Sequence, residues 1–265
     1  MINKFLELGI QVKGNKIQQT TICPKCSHTR KPENKKTPCL SIDLITGKYT
    51  CHLCGWAGWV NKKKVEKEIT PNISMSNKSK FHPLNEVAIS YLKSRGISKE
   101  AIDLARLKQF NDWIIFPYFK EEKVLTYKKR CITTKQFSQK AGGTHIVYNY
   151  DRCKGQKEII FCEGEIDCLT WETIGYTNST SVDQGAPNEK DKNVDKKLEC
   201  VTNCYDIFEN AEKIYLAVDN DANGKRLENE LIKRFGAEKC YLIRFPEGIK
   251  DSNEMFLKEG KDALV

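Results

Sequence analysis

The chain has 265 residues, length for one large domain or two to three small ones, and is 30% charged and 39% hydrophobic. No apolar run approaches the roughly 18 residues that span a bilayer. The opening Met-Ile-Asn-Lys-Phe-Leu-Glu lacks the apolar core and cleavage site of a secretory signal, so a soluble protein that is not secreted is expected, in a reducing compartment such as cytoplasm or organelle matrix.

The formal charge of +9 is uneven: residues 1 to 80 hold fifteen of the 44 Lys+Arg but five of the 35 Asp+Glu, leaving 29 and 30 for the rest. A basic N-terminal third points to an anionic polymer as partner. Residues 21 to 60 are rich in Cys, Gly and turn residues and too short to bury a core unaided, which a structural metal remedies. Cys23-Pro-Lys-Cys26 and Cys51-His-Leu-Cys54 are two C-x-x-C knuckles separated by 24 residues. Paired spacing without an export signal favours metal over disulfide, and four thiolates make a closed, structural zinc site. His28, His52 and Cys39 lie near enough to stand in as ligands. The other cysteines, Cys39 included, are scattered without paired spacing and read as ordinary buried thiols. Lys25, Arg30, Lys31, Lys35, Lys36 and Lys48 interleave with Tyr49, Trp56 and Trp59, cations for phosphates beside aromatic faces for bases; Trp56 is better placed to pack the ribbon's core.

Residues 61 to 80 show no hydrophobic period and read as a linker. Apolar spacing predicts helices over 84–95 and 98–108, turning at Gly96, with Ser98 as N-cap of the second. Trp-Ile-Ile-Phe-Pro-Tyr-Phe and Lys-Val-Leu-Thr-Tyr-Lys-Lys-Arg predict a hairpin from which Lys128, Lys129 and Arg130 leave together as a basic strip. From residue 157, short buried strands alternate with helices at about 165–174 and 224–235, the pattern of a largely parallel α/β sheet. The tract 188–197 reads as an exposed loop.

Glu163 and Asp167 follow one predicted strand in Phe-Cys-Glu-Gly-Glu-Ile-Asp, and Asp219 and Asp221 follow another in Leu-Ala-Val-Asp-Asn-Asp. Carboxylates at the carboxyl ends of parallel strands face the crevice where open α/β sheets do their chemistry. In Asp-x-Asp both side chains leave the same side of an extended backbone, so the cluster calls for a hard divalent cation, Mg2+ or Mn2+.

At these residues the chain resembles the DnaG-type, or Toprim, DNA primases. EGEIDCL is similar to the family's catalytic glutamate motif at Glu163, and VDNDANGK to its metal-binding Asp-x-Asp at Asp219 and Asp221. Asp167 and Asp251, the latter in KDSNEMF, match further acidic positions. The segment from CPKCSHTR to CHLCGWAG resembles the zinc-binding domain of phage primase-helicases and plant Twinkle proteins, and YLKSRGIS and IIFPYF resemble the polymerase domain's N-terminal lobe. The resemblance implies an α/β protein divided into a zinc ribbon (1–60), a linker (61–80), an α+β lobe (81–156) and a Toprim domain (157–265). It implies short RNA primers made from ribonucleoside triphosphates on single-stranded DNA by two-metal transfer, with the ribbon reading template sequence. Lys128, Arg130 and Lys135 fall at positions near the nucleotide. No G-x-x-x-x-G-K-[ST] occurs, so a replicative helicase is expected as a separate or severed partner. The same acids would serve a Toprim nuclease, and the same fold a non-catalytic single-strand-binding module.

Overall fold

The computed structural model describes residues 2–14, 16–44, 47–60, 81–134 and 136–264. The expected linker at 61–80 and Lys135 fall outside them. The chain divides into two compact units, at Glu68 and Ile69.

The first unit opens with helix α1 (Ile2–Glu7) and continues as an antiparallel meander of β1 (Gln18–Thr21), β2 (Leu40–Asp43), β3 (Lys48–Cys51) and β4 (Ala57–Trp59). Its small core gathers Phe5, Ile10, Leu40, Ile42, Tyr49 and Val60 around Cys23, Cys39 and Cys51. Trp56 packs against this core, its ring centroid 4.7 Å from that of Tyr49, as its position in the motif predicts. Helix α1 is a contribution that the cysteine spacing gives no hint of: Phe5 is fully buried by it.

The second unit begins with α2 (Glu86–Ser94) and α3 (Lys99–Leu104). Asn85 caps the first by accepting from Ala88 N at 2.9 Å, and Ser98 caps the second by accepting from Ala101 N at 3.1 Å. Gly96, at φ +72°, makes the turn between them. The second helix stops at Leu104, short of the expected 108, because Arg106 turns left-handed and the next residues enter β5 (Lys108–Phe110). β5 pairs with β6 (Trp113–Lys120), which pairs with β7 (Lys123–Cys131), followed by β8 (Phe137–Gln139), all antiparallel in that order. The expected hairpin is β6 and β7.

After a short helix, α4 (Tyr150–Cys153), come β9 (Glu158–Cys162), α5 (Glu165–Thr173) and β10 (Ser179–Ser181). Three short helices follow, α6 (Val194–Lys197), α7 (Glu199–Asn203) and α8 (Tyr205–Glu209), then β11 (Lys213–Ala217), α9 (Ala222–Phe235), β12 (Cys240–Leu242) and α10 (Ser252–Glu259). The four strands form a parallel sheet in the order β10-β9-β11-β12, the α/β architecture expected. The chain leaves β9 for one side and returns through β11 on the other, so the order reverses between these two strands. That reversal opens a crevice at their carboxyl ends. The tract at 188–197 is no free loop: Asn193 caps α6 by accepting from Lys196 N at 3.0 Å, and Val194 packs on the core. One continuous core serves both sheets, running from Leu92 and Ile114 through Tyr118 and Tyr148 to Phe161, Leu216 and Phe235.

Candidate active site and metal centres

In the ribbon, the knuckle Cys23–Cys26 follows β1, and the second begins at the last residue of β3. Gly55, at φ +73°, turns the chain after Cys54, with Gly55 N donating to Cys51 O at 3.0 Å. The four sulfurs lie within 4.8 Å of one another. Cys23 and Cys54 Sγ stand 3.8 Å apart, Cys26 and Cys51 Sγ 3.7 Å. A tetrahedron with arms of about 2.3 Å to zinc has edges of about 3.8 Å, so the donor set fits that ion. His28 turns its Nδ1 to Pro24 O at 3.3 Å, and His52 its Nε2 to Ser41 Oγ at 2.7 Å; neither belongs to the thiol cluster. Cys39 is closer: its buried Sγ is 3.6 Å from Cys51 Sγ. Arg30 donates from Nη2 to Cys26 Sγ at 3.0 Å and to Cys39 Sγ, and from Nη1 to Thr37 O at 2.9 Å. Its charge serves the thiolates rather than an open binding face, which corrects its place in the expected basic surface. Burial pushes the Cys23 thiol up to about 12. At Cys26 the same effect is outweighed by hydrogen bonds from Arg30 and the neighbouring thiols, which lower it to about 7.

In the second unit, β9 and β11 run side by side with Cys162 opposite Ala217, so Glu163 and Asp219 emerge together from the sheet. Asp167 comes from the first turn of α5, and Asp251 caps α10 by accepting from Glu254 N at 2.7 Å. Oxygens of Asp167, Asp219 and Asp251 lie within 4.8 Å of one another. Glu163 stands beside them: Oε1 accepts from Ala186 N at 3.5 Å, while Oε2 is buried without a hydrogen-bond partner. Asp221 behaves differently from the expectation for Asp-x-Asp. It caps α9, its Oδ1 accepting from Asn223 N and Gly224 N, both at 2.9 Å, and is outside the triad: β11 ends at Ala217 and the chain bends at Asn220 before α9 begins at Ala222, so the two aspartates do not lie on one continuous strand. Gly224 is needed there: a Cβ would stand 2.0 Å from the Asp219 carbonyl oxygen.

The acids are held at close quarters with little counter-charge. Burial, then the charges of Asp219 and Asp221, raise Glu163 to about 7. Burial, then Asp251 and Asp219, raise Asp167 well above the usual carboxylate range. Burial also raises Asp219, against the pull of Lys250, whose Nζ lies 2.8 Å from Asp219 Oδ2 and 3.8 Å from Asp221 Oδ2. A set of hard oxygen donors, one of them orphaned, fits a hard divalent cation.

The basic strip divides across the sheet. Along β7, side chains alternate, so Lys128 and Arg130 leave one face and Lys129 the other, where its Nζ lies 4.7 Å from the Trp113 ring centroid. The three do not leave together. Lys128 is buried, its Nζ 2.9 Å from Glu165 Oε1, which also accepts from Tyr118 Oη. Arg130 donates from Nε to Tyr91 Oη at 3.0 Å. Sequence reasoning missed Glu165 as the partner of Lys128, Lys250, and a pair in which the buried Asp183 places Oδ2 2.6 Å from Nδ1 of the partly exposed His145 and accepts from Gln139 Nε2 at 2.9 Å. Asp183 follows β10, whose three residues are too few and too polar to register as a buried strand; Lys250 stood in plain view before Asp251.

Comparison with known proteins gives a consistent result. The Toprim-like family matches residues 160–256, the span that holds all five acids. A primase homolog protein from Arabidopsis thaliana is 30% identical over 287 aligned positions, covering 100% of this chain and 85% of the relative. The Twinkle homolog protein, chloroplastic/mitochondrial, of the same plant is 28% identical over 92% of the chain, which spans 37% of that relative's length. Among solved structures, the primase fragment of the bacteriophage T7 primase-helicase protein superposes with a TM-score of 0.56 at 22% identity, over 94% of this chain and 98% of that one. With its acids at the switch point of a parallel sheet and a relative of this similarity aligned along its whole length, the chain belongs to the family of DnaG-type Toprim primases.

Proposed function

We propose that this chain is a DNA primase, joining ribonucleoside triphosphates into short RNA primers on single-stranded DNA. The observation that carries the reading is the convergence of Asp167, Asp219 and Asp251 beside the orphaned carboxylate of Glu163. These residues, with Asp221 alongside, would hold Mg2+ or Mn2+. When bound, such ions stabilise the attacking 3′ oxygen and the charge on the triphosphate and departing pyrophosphate. The chain's own part is to place and exclude. Asp219 is fixed by the close approach of Gly224, Asp251 by its cap on α10, and Glu163 by burial at the end of β9. Arg130 offers a guanidinium to the triphosphate from the outer end of β7, with Lys135 a further candidate. Lys128, neutralised by Glu165, acts on the site by fixing Glu165 at the start of α5.

The reading divides the chain into a template-reading ribbon over 1–60, a tether over 61–80, a lobe over 81–156 that supplies the basic strand, and a catalytic half over 157–265. Zinc in the four-cysteine site would make the ribbon a rigid reader of template sequence, with Lys25, Lys31, Lys35 and Lys36 facing phosphates. A replicative helicase is the expected partner, on the same polypeptide or another.

The test is incubation of the zinc-loaded chain with single-stranded DNA of varied sequence, labelled ribonucleotides and Mg2+, resolved on a denaturing gel. Short oligoribonucleotides starting at a fixed template site, reduced at least about 10²-fold by Asp219→Asn, are expected. Product undiminished in that variant would overturn the metal-site assignment, and shortening of the template without synthesis would make the chain a nuclease.

A further inference from the structure

The segment after β12 supplies two things to the acidic cluster: Asp251, and one residue earlier a cation. Lys250 Nζ contacts both acids of the Asp-x-Asp turn, at 2.8 and 3.8 Å. Its backbone is fixed at both ends. Asn220 N, between the two aspartates, donates to Lys250 O at 2.7 Å, and Lys250 N donates to Glu254 Oε2 at 2.7 Å. Asn220 Nδ2 adds bonds of 3.4 Å to Phe245 O and Ile249 O. The ammonium is thus delivered to the carboxylates by a loop stitched to the same turn. Yet its side chain is 56% exposed, so it can swing into solvent without opening a cavity.

We infer that Lys250 is a built-in counter-ion that occupies the charge position of the divalent cation and is displaced when that cation binds, so that metal uptake is an exchange of cations. The inference rests on the metal site proposed above. Four buried or half-buried carboxylates around one crevice repel one another, and a tethered ammonium offsets part of that repulsion without metal. The same ammonium competes with an incoming divalent ion, which weakens metal binding in the absence of substrate. Once displaced, it stays beside the crevice on its four-carbon stem, a point charge suited to a phosphate oxygen. Metal and triphosphate arriving together satisfy both the carboxylates and the freed lysine; metal alone satisfies only the carboxylates. Lys250 is in this sense a positioning residue that favours occupancy by the pair.

The test uses the full, zinc-loaded chain and Mn2+ as the probe, without nucleotide or DNA, following free Mn2+ by its electron paramagnetic resonance signal. The hard ion does not enter a closed tetrathiolate. Lys250→Met is expected to bind Mn2+ about three- to tenfold more tightly than the unaltered chain, the scale of one half-exposed charge pair. Lys250→Gln, which also lacks the charge, serves the same comparison should the Met variant fail to fold. Equal or weaker binding in the charge-free variant, with the unaltered chain binding Mn2+, overturns the counter-ion inference and leaves the metal site standing. No Mn2+ binding by either protein overturns both.

Discussion

Both units bring metal-ligating side chains together, but they differ in which part holds the other. In the ribbon, the sulfurs stand at tetrahedral edges of 3.7 and 3.8 Å around a core of few side chains, among them Cys23 and Cys51 themselves. Cys23 and Cys51 are part of the core and Cys26 packs against it, so an ion held by the four cysteines would tie the fold together. In the second unit a continuous core under two sheets fixes the ends of β9 and β11, and the acids project from that frame with one buried carboxylate oxygen, Glu163 Oε2, left without a partner. There the fold holds the ligands. A site of the first kind is closed and structural; one of the second kind keeps open positions for a substrate.

The largest effect that would break or sharpen this contrast is loss of zinc. Binding of structural zinc is worth roughly 10–16 kcal/mol in small metal-nucleated peptides, far more than so small a core supplies. Chelation, or Cys51→Ser, is expected to unfold residues 1 to 60 while the second unit keeps its own cooperative melt, as followed by amide NMR signals. A ribbon that stays dispersed without metal would erase the distinction. Next is Lys128→Met, which leaves the buried Glu165 without its counter-charge, only Tyr118 Oη still donating to it; loss of one partner of a buried ion pair costs about 3–5 kcal/mol. The denaturant midpoint measures it. The same result would show that a nucleotide KM measured on a charge-reversed Lys128 reports on folding.

Gly224→Ala tests the frame at the acidic turn. Its Cβ meets backbone, not a flexible side chain, so α9 must shift, at about 1–3 kcal/mol, with loss of primer synthesis exceeding that of stability. The last effect, graded with pH and not all-or-none, concerns Glu172, buried on α5 beside Arg152. Burial raises its carboxyl from 4.5 to about 7, outweighing the guanidinium. Its folded value lies above its unfolded one, so its stabilisation is complete below about pH 4.5 and is lost as pH rises to about 7. The second unit's melting temperature should therefore fall across that window, and Glu172→Gln should flatten the slope. A slope unchanged in the variant would assign it to other groups.

Spacing alone announced the zinc knuckles, because C-x-x-C is a local geometry that any tetrahedral ribbon imposes. The alternation of short apolar runs with helical ones announced the parallel sheet, and the acids at strand ends followed from it. Arg30 was misread for a simple reason: exposure cannot be judged from residue type, and its guanidinium turns inward to sulfur. Lys128 was misread likewise, since a lysine run along a strand sends alternate charges to opposite faces, and one face here is the core.

What the sequence by itself determined is what short-range periodicity carries: the ribbon's paired cysteines, the helix cap at Ser98, the β6–β7 hairpin and the acids that terminate β9 and β11. Only the tertiary structure decided which acids converge, since Asp167, Asp219 and Asp251 meet through strand order and helix packing across some eighty residues of chain. It also decided that Asp221 caps a helix instead of joining them, and that Glu165, Asp183 and Lys250 have partners. Those pairings depend on distances closed by a common core, and no local pattern of residues records a distance across a fold.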